Sequence, residues 1–436
     1  MDIIIAGAGR VGFRLAKSLS EKNNVIIMDK NEDALEKLQE SIDVLTIPGD
    51  VQDPQSYKPL ENKTIDIFIA VTDNDEINLI SSIIASEKIN VKRKIIRLKK
   101  EFFARSSIAK KIGITDAVFP YNLTAKSLVS LLDYPTANNV KHFAQTTNKL
   151  MSIKVESDIQ GLSVFKIDNE KAKIVGIDSG KRLYIPNGDE KLKKGDMIYL
   201  FGETHEIEEI AKSLNKTMPK KIKNIAIFGA DILGIEIAKA LIENKATVKI
   251  IEKDIQKCQR ASEILQNGAT IINSKYGDFR LYDDERLKNA DMIVASTTND
   301  EENIIKCIEA KEQGVQKVVA INNDIEHYNL MHSLGITVVR GPKINAFYSI
   351  IETIGSTSVV GEKLFCGGSG VCFIRELKET NKTLSPLNIN ATIAYIISDS
   401  RLERFHKKQT IKDPVTVAVF CLAQKKEEVR KWINKL

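Results

Sequence analysis

Hydrophobic positions along the first 120 residues fall into two alternating patterns. Short apolar runs occupy 2–6, 25–28, 44–47, 65–71, 95–98 and 117–119. Between them, segments such as RVGFRLAKSLSEK and EDALEKLQESI place apolar residues at i, i+3, i+4 and i+7, the stripe of an amphipathic helix. The runs are too brief for helices and too uniformly apolar for half-exposed strands. They predict parallel strands covered on both faces, linked by helices in βαβ units. The expectation is a doubly wound α/β domain of roughly 120 residues.

The pattern then recurs. Gly7 and Gly12 match Gly229 and Gly234 at an offset of 222, which also takes Gly113-Ile114-Thr115 to Gly335-Ile336-Thr337 and Pro120 to Pro342. VIIMDK at 25–30 matches VKIIEK at 248–253, Gly49-Asp50 matches Gly277-Asp278, and TDNDEIN at 72–78 matches TTNDEEN at 297–303. A repeat this long predicts two copies of one domain. After the first copy the texture changes to short strands (NKLMSIKVE, AKIVGID, KRLYIP, DMIYLFG) separated by Gly161, Gly176, Gly180, Gly188, Gly195 and Gly202. That is the pattern of a small α+β module. NKTMPKKIKN at 215–224 is the linker candidate, and 356–436 holds the corresponding place in the second half with strongly diverged sequence. The expected boundaries are 1–124 and 222–345 for the α/β domains, and 138–218 and 356–436 for the modules.

Composition narrows the classes. With 43% hydrophobic and 28% charged residues, the chain has the balance of a folded globular protein rather than a disordered one. No apolar window reaches the ~18 residues of a membrane helix, and VTVAVFCLA at 415–423 suits a buried strand. The start, with Asp2 before a short apolar run, does not read as a secretory signal, which makes the cytoplasm the expected compartment. Five cysteines with no CxxC pair suggest neither a disulfide framework nor a metal site. CGGSGVC at 366–372 fits a loop better than a redox pair. Nine Lys or Arg lie within 92–111, but a net charge of +6 spread over the chain gives no case for nucleic acid, and the cluster reads as a solvated face. The five histidines are scattered, so no catalytic constellation can be assembled from neighbouring motifs.

The candidate chemistry lies in the glycine frames. Gly7-Ala8-Gly9-Arg10-Val11-Gly12 follows a predicted strand and opens a predicted helix, as a dinucleotide fingerprint requires. Gly7 permits the tight turn, Gly9 a close approach of pyrophosphate, and Gly12 the packing of helix on strand, while the helix N-terminus favours phosphate. Asp29 closes the next predicted strand, where a carboxylate suits ribose hydroxyls and repels a 2′-phosphate. This favours NAD(H) over NADP(H), although Lys30 beside it softens the discrimination. The second frame, Gly229-Ala230-Asp231-Ile232-Leu233-Gly234, carries Asp231 where the first has Gly9. Bulk and like charge then oppose pyrophosphate. Glu252 still supplies a ribose acid, so the second site is expected to be weaker, altered in ligand or empty.

The series GAGRVG, MDK, GD, TDNDEIN, IIRLKKEF and GITDAVFP, followed by a β-rich module and a second pass, resembles the TrkA family over residues 1 to about 345. These are nucleotide-binding regulatory subunits of bacterial Trk potassium-uptake systems, built from tandem RCK (KTN) domains. The resemblance implies two Rossmann-like RCK N-terminal domains, each followed by an RCK C-terminal-type module. It implies nucleotide contacts at Gly7 to Gly12 and Asp29. It places Gly49-Asp50-Val51 beside the adenine, Thr72-Asp73 over the phosphate and ribose side, Glu76 and Asn78 at the following helix start, and Arg97 at a strand end near the nucleotide. In the second copy the corresponding residues include Glu252 and Asp278, with Ala320 opposite Arg97. The implied ligands are NAD(H), or ATP and ADP. The implied assembly is a homo-oligomeric ring, dimer or tetramer, peripheral on the inner membrane face and gating a Trk-type potassium-translocating subunit. The role is regulatory, not enzymatic. The alternative is an NAD-dependent oxidoreductase of unusual tandem design, which leaves little sequence for a substrate domain.

Overall fold

The apolar runs of the first copy become strands β1 (Asp2–Ala6), β2 (Asn24–Asp29), β3 (Leu45–Pro48), β4 (Thr64–Ala70), β5 (Asn90–Arg97) and β6 (Asp116–Val118). They pair in parallel in the order β3-β2-β1-β4-β5-β6, the doubly wound topology. Helices α1 (Arg10–Ser20), α2 (Glu32–Ser41) and α3 (Asp75–Lys88) lie between strands, followed by the short α4 (Glu101–Arg105) and α5 (Ile108–Lys111). Helix α6 (Pro120–Asp133) follows β6. Asn31 and Asn74 cap α2 and α3 by accepting from Ala34 N and Ile77 N, which starts both helices at the polar residue after an apolar run. Ile4, Met28, Phe68 and Ile96 pack one core with Tyr57 and Leu79. The structure is a computed structural model and describes residues 1–157, 162–180, 182–215, 220–323, 328–356, 360–378 and 382–436. Gly161, His327 and positions 216–219 of the linker candidate lie outside the described residues.

The first module is an antiparallel sheet of β7 (Asn139–Lys141), β8 (Lys149–Lys154), β9 (Ala172–Asp178), β10 (Leu183–Tyr184) and β11 (Met197–Gly202). Their order is β10-β9-β11-β8-β7, with helices α7 (Val164–Ile167) and α8 (Thr204–Leu214). The second α/β sheet repeats the first. Strands β12 (Asn224–Phe228), β13 (Thr247–Glu252), β14 (Ala269–Asn273), β15 (Met292–Ala295), β16 (Lys317–Asn322) and β17 (Thr337–Arg340) run in the order β14-β13-β12-β15-β16-β17. Its helices are α9 (Ile232–Glu243), α10 (Ile255–Leu265), α11 (Leu281–Asp284), α12 (Asp300–Glu312), α13 (Tyr328–Ser333) and α14 (Pro342–Gly355).

The diverged C-terminal segment has the topology of the first module. Strands β18 (Val360–Phe365), β19 (Gly370–Leu377), β20 (Lys382–Leu384), β21 (Thr392–Ser398), β22 (Arg401–Arg404), β23 (Gln409–Ile411) and β24 (Val415–Leu422) precede α15 (Lys426–Ile433). The order β18-β19-β24-β21-β22 matches β7-β8-β11-β9-β10, with β20 and β23 added as a separate ribbon. One face of each module sheet contributes to a shared core, where Tyr199 meets Phe365 and Phe201 meets Phe420, both at 5.0 Å between ring centroids. Of CGGSGVC, Cys366 to Ser369 form the turn between β18 and β19, and Gly370 to Cys372 open β19 rather than a loop. Cys372 is fully buried within β19, and burial pushes its thiol well above the usual range.

The chain divides into two units that do not follow the repeat boundary. Residues 1–124 and 340–353 form one, and 125–339 with 354–436 form the other. Helix α14, which follows the sixth strand of the second sheet, therefore belongs almost entirely to the unit of the first. Asn345 Nδ2 donates to Thr124 Oγ1 at 2.8 Å, and Arg93 Nη2 donates to Thr353 O at 2.9 Å. Those bonds fix both ends of α14 within its unit. Conversely, α6 from Ala125 onward belongs to the second unit.

Candidate functional site

Three glycines of the first frame have separable reasons. Gly7 has φ +112°, a conformation that favours glycine. A Cβ at Gly12 would lie 1.8 Å from Gly7 O, so α1 could not pack on its own turn. Gly9 differs from both: its φ of −66° is ordinary, and a Cβ there would meet nothing within 4 Å. Neither the backbone nor internal packing requires glycine at that position. Its bareness leaves an opening at the N-terminus of α1, where no side chain caps the helix and main-chain N–H groups are offered to an anion.

Asp29, at the end of β2, buttresses this turn. Its Oδ2 accepts from Ala8 N at 2.6 Å and its Oδ1 from Asn31 N at 2.9 Å, which leaves lone pairs on both oxygens. Arg10 is exposed beside it, while Val11 is buried in the core side of α1. Gly49 N donates to Asp29 O at 3.0 Å, bringing Gly49-Asp50-Val51 next to the same strand end. Asp50 accepts from Gln52 N, and the buried Tyr57 hydroxyl donates to Val51 O.

A second loop arrives from the end of β4. Asn78, 1% exposed, accepts from Thr72 N and Thr72 Oγ1 and donates to Thr72 O and Arg97 O. It ties the ends of β4 and β5 together. Arg97 is a buried cation, its side chain 4% exposed, with Nη1 3.3 Å from Asp73 Oδ1 and Nε without a hydrogen-bond partner. Desolvation opposes ionisation of Asp73, but Arg97, Lys99 and Lys343 together hold its carboxyl below the usual range. A buried guanidinium with an unused donor, at the carboxyl ends of parallel strands, fits an anionic or hydroxyl-bearing ligand. The residues present fit a dinucleotide.

The second frame keeps the scaffold and fills the opening. Gly229 has φ +108°, and a Cβ at Gly234 would lie 2.0 Å from Gly229 O, so these two glycines persist for the reasons given for Gly7 and Gly12. Asp231 has the backbone of Gly9, with φ −67°. Its carboxylate lies 2.7 Å from Lys257 Nζ, and this bond raises the Lys257 ammonium above its ordinary range. Lys257 stands three residues after the α10 cap Asp254, as Ala34 stands after Asn31. Glu252 accepts from Ala230 N at 2.8 Å, as Asp29 does from Ala8 N, but also from Tyr276 OH at 2.9 Å, and it is 2% exposed. The Glu252 carboxylate is thus closed over. Ile232 is exposed and Leu233 buried.

Two sequence expectations are corrected. Asp278 pairs with Arg280, with Nη2 to Oδ2 at 2.9 Å, and it is Tyr276, two residues earlier, that reaches Glu252. Ile321, not Ala320, corresponds to Arg97, because Asn303 Nδ2 donates to Ile321 O as Asn78 Nδ2 donates to Arg97 O. Sequence reasoning missed Tyr276 and Lys257, which no motif marks. The Asn78 and Asn303 clasp was within reach, because both asparagines lie in the matched TDNDEIN and TTNDEEN segments.

Two doubly wound sheets with glycine frames at their first strand ends, alternating with antiparallel modules, define the class: tandem Rossmann-like domains of the RCK type. The chain belongs to the TrkA-N domain family, which matches residues 3–120 and 225–342, and a TrkA-C domain matches 153–215. It is 28% identical to the Trk system potassium uptake protein TrkA homolog of Archaeoglobus fulgidus, over 91% of this chain and 92% of that one. It is 28% identical to the Trk system potassium uptake protein TrkA of Haemophilus influenzae, over 79% of this chain and 77% of that one. Among solved structures, the GsuK RCK domain superposes with a TM-score of 0.64 at 13% identity, covering 100% of this chain and 95% of that one. The GsuK channel bound to NAD gives 0.64 at 14% identity, covering 100% and 79%.

Proposed function

We propose that this protein is a cytoplasmic, NAD(H)-binding regulatory subunit of a Trk-type potassium-uptake system, and that it is not an enzyme. The observation that carries the reading is the difference between the frames of a TrkA-family chain. One is open at Gly9 beside Asp29 and Arg97, and the other is filled by Asp231, Lys257 and Tyr276. In this reading Gly7 to Gly12 and the α1 N-terminus receive pyrophosphate. Asp29 accepts from ribose hydroxyls, Gly49-Asp50-Val51 borders the adenine, and Thr72, Asp73 and Arg97 border the phosphate and ribose side. ATP or ADP would use the same donors.

The regulatory step is a population shift. A ligand that engages Asp29 and the Arg97 loop in one arrangement of the homo-oligomer better than in another biases that arrangement. The oligomer, docked peripherally on the inner face of a potassium-translocating subunit, transmits the bias to its gate. No proton-transfer group has to face the nicotinamide for this.

Calorimetric titration of the full chain with NADH is expected to give one site per chain. Asp29→Asn keeps an acceptor for Ala8 N but loses the charge, and is expected to weaken binding about 10-fold or more. Unchanged affinity in that variant would remove the site assignment. Capture from detergent-extracted membranes, with and without NADH, then tests docking: recovery of a multi-span cation-transport subunit is expected, and its consistent absence counts against the partner.

A further inference from the structure

A second opening lies in the second unit, at the amino ends of β15, β16 and β17, opposite to the strand ends that carry the glycine frame. It is a cavity of about 600 Å³ whose wall includes Lys154, Lys220, Lys288, Lys311 and Lys317. Two carboxylates share the lining, Glu156 and Asp291. Asp291 is turned to the chain itself, accepting from Lys223 N and Asn224 N. Asp283 pairs with Lys288 at 2.6 Å, so Glu156 and Asp291 stand against the other four ammonium groups.

Three of the lysines, Lys154, Lys311 and Lys317, are met by main-chain oxygens. Lys154 donates to His332 O at 2.6 Å, Lys311 to Leu334 O at 2.7 Å, and Lys317 to Pro135 O and Ala137 O at 3.0 and 2.9 Å. Carbonyls satisfy part of each ammonium's three donors but cancel none of its charge. Burial lowers Lys317 to about 8, against the pull of Glu156, and burial together with the charge of Lys311 lowers Lys154. Among the described residues the cavity wall therefore carries more positive than negative charge.

We propose that this cavity is a second ligand site, taking a small anion with two or more phosphate groups. Several ammonium groups spread over one wall suit several phosphates, since lysine acts on each as a point charge with rotatable donors. The volume falls in the range of small-molecule sites and exceeds what a single phosphate fills. No Phe, Tyr or Trp lines it, so the charge leads the selection. The site is independent of the nucleotide reading, because its residues share nothing with the first frame.

The test is calorimetry with inorganic pyrophosphate, titrated into the full chain already saturated with NADH. One saturable site per chain is expected. The double variant Lys154→Gln, Lys311→Gln is expected to weaken it at least tenfold while NADH affinity is unchanged. Lys220→Glu, at an exposed position, is expected to weaken it as well and guards against a folding defect in the double variant. Absence of saturable binding, equal binding in these variants, or competition between pyrophosphate and NADH would overturn the proposal, as would citrate binding as tightly as pyrophosphate. ADP in the same experiment separates the two sources of such a group. Binding as tight as pyrophosphate supports a nucleoside-linked diphosphate, and weaker binding supports an inorganic one.

Discussion

Gly9 and Asp231 share one backbone conformation, so a single side chain and its partner separate an open turn from a filled one. Asp231→Gly removes the carboxylate and leaves Lys257 facing the α9 N-terminus, where an anion is welcome. The variant is expected to gain a second, weaker NADH site, seen as a calorimetric stoichiometry rising from one toward two. Adding Tyr276→Phe frees Glu252 Oε2 from the hydroxyl bond and is expected to tighten that site. A different residue governs pH response. Burial raises Asp168 to about 6, against a hydrogen bond from Ile174 N and the charges of Lys173 and Arg404. A folded value above the unfolded one gives stability that is present below the unfolded carboxylate range and lost as pH rises through about 6. Asp168→Asn keeps an oxygen for Ile174 N, and is expected to raise stability at pH 7.5 by about 1–2 kcal/mol. That advantage should vanish near pH 3.5, as thermal denaturation at the two pH values would read. Gly7, Gly9, Gly12 and Asp29 were legible because motif spacing names them. Lys257 and Tyr276 were not, because contacts between residues 26 and 24 positions from their acids leave no local pattern.

Strands and helices were legible where burial alone shapes the sequence. The six short apolar runs of each α/β copy predict buried parallel strands because both faces must be apolar. The last 80 residues resisted for the opposite reason: antiparallel strands joined by variable turns need no fixed glycine spacing, so one topology survives in unlike sequences. What holds the final helix is also invisible to periodicity. Glu362 in β18 is 1% exposed and pairs with Lys426 at 2.5 Å and Arg430 at 2.6 Å, one turn apart on α15. Removing this buried carboxylate leaves Lys426 without its acid and Arg430 with Glu427 only, at 2.8 Å. Glu362→Ala is therefore expected to cost about 2–4 kcal/mol in chemical denaturation, with more lost than in Lys426→Ala. Equal and small effects of the two variants would show that water already screens the pair.

For the molecule as a whole, the offset of 222 revealed two copies but not how their helices are assigned. Helices α6 and α14 have the same length of 14 residues and similar amphipathicity, so periodicity does not tell which unit each one joins. Only the contacts of Thr124, Asn345, Arg93 and Thr353 show that α14 completes the first unit. A fragment of residues 1–222 therefore contains a whole copy of the repeat and an incomplete unit. It is expected to sediment as a dimer or larger species. A stable, monomeric fragment in sedimentation velocity would count against a structural role for the exchange.

The same arrangement bears on synthesis. The first α/β sheet leaves the ribosome early, yet its unit stays unfinished until residues 340–353 have followed. At ~5–20 residues per second, the gap between residue 124 and residue 340 lasts roughly 10–40 s. Throughout that interval Thr124 and Arg93 lack the partners that α14 brings them, long enough for a holding chaperone, or the equivalent helix of a neighbouring nascent chain, to occupy the place first.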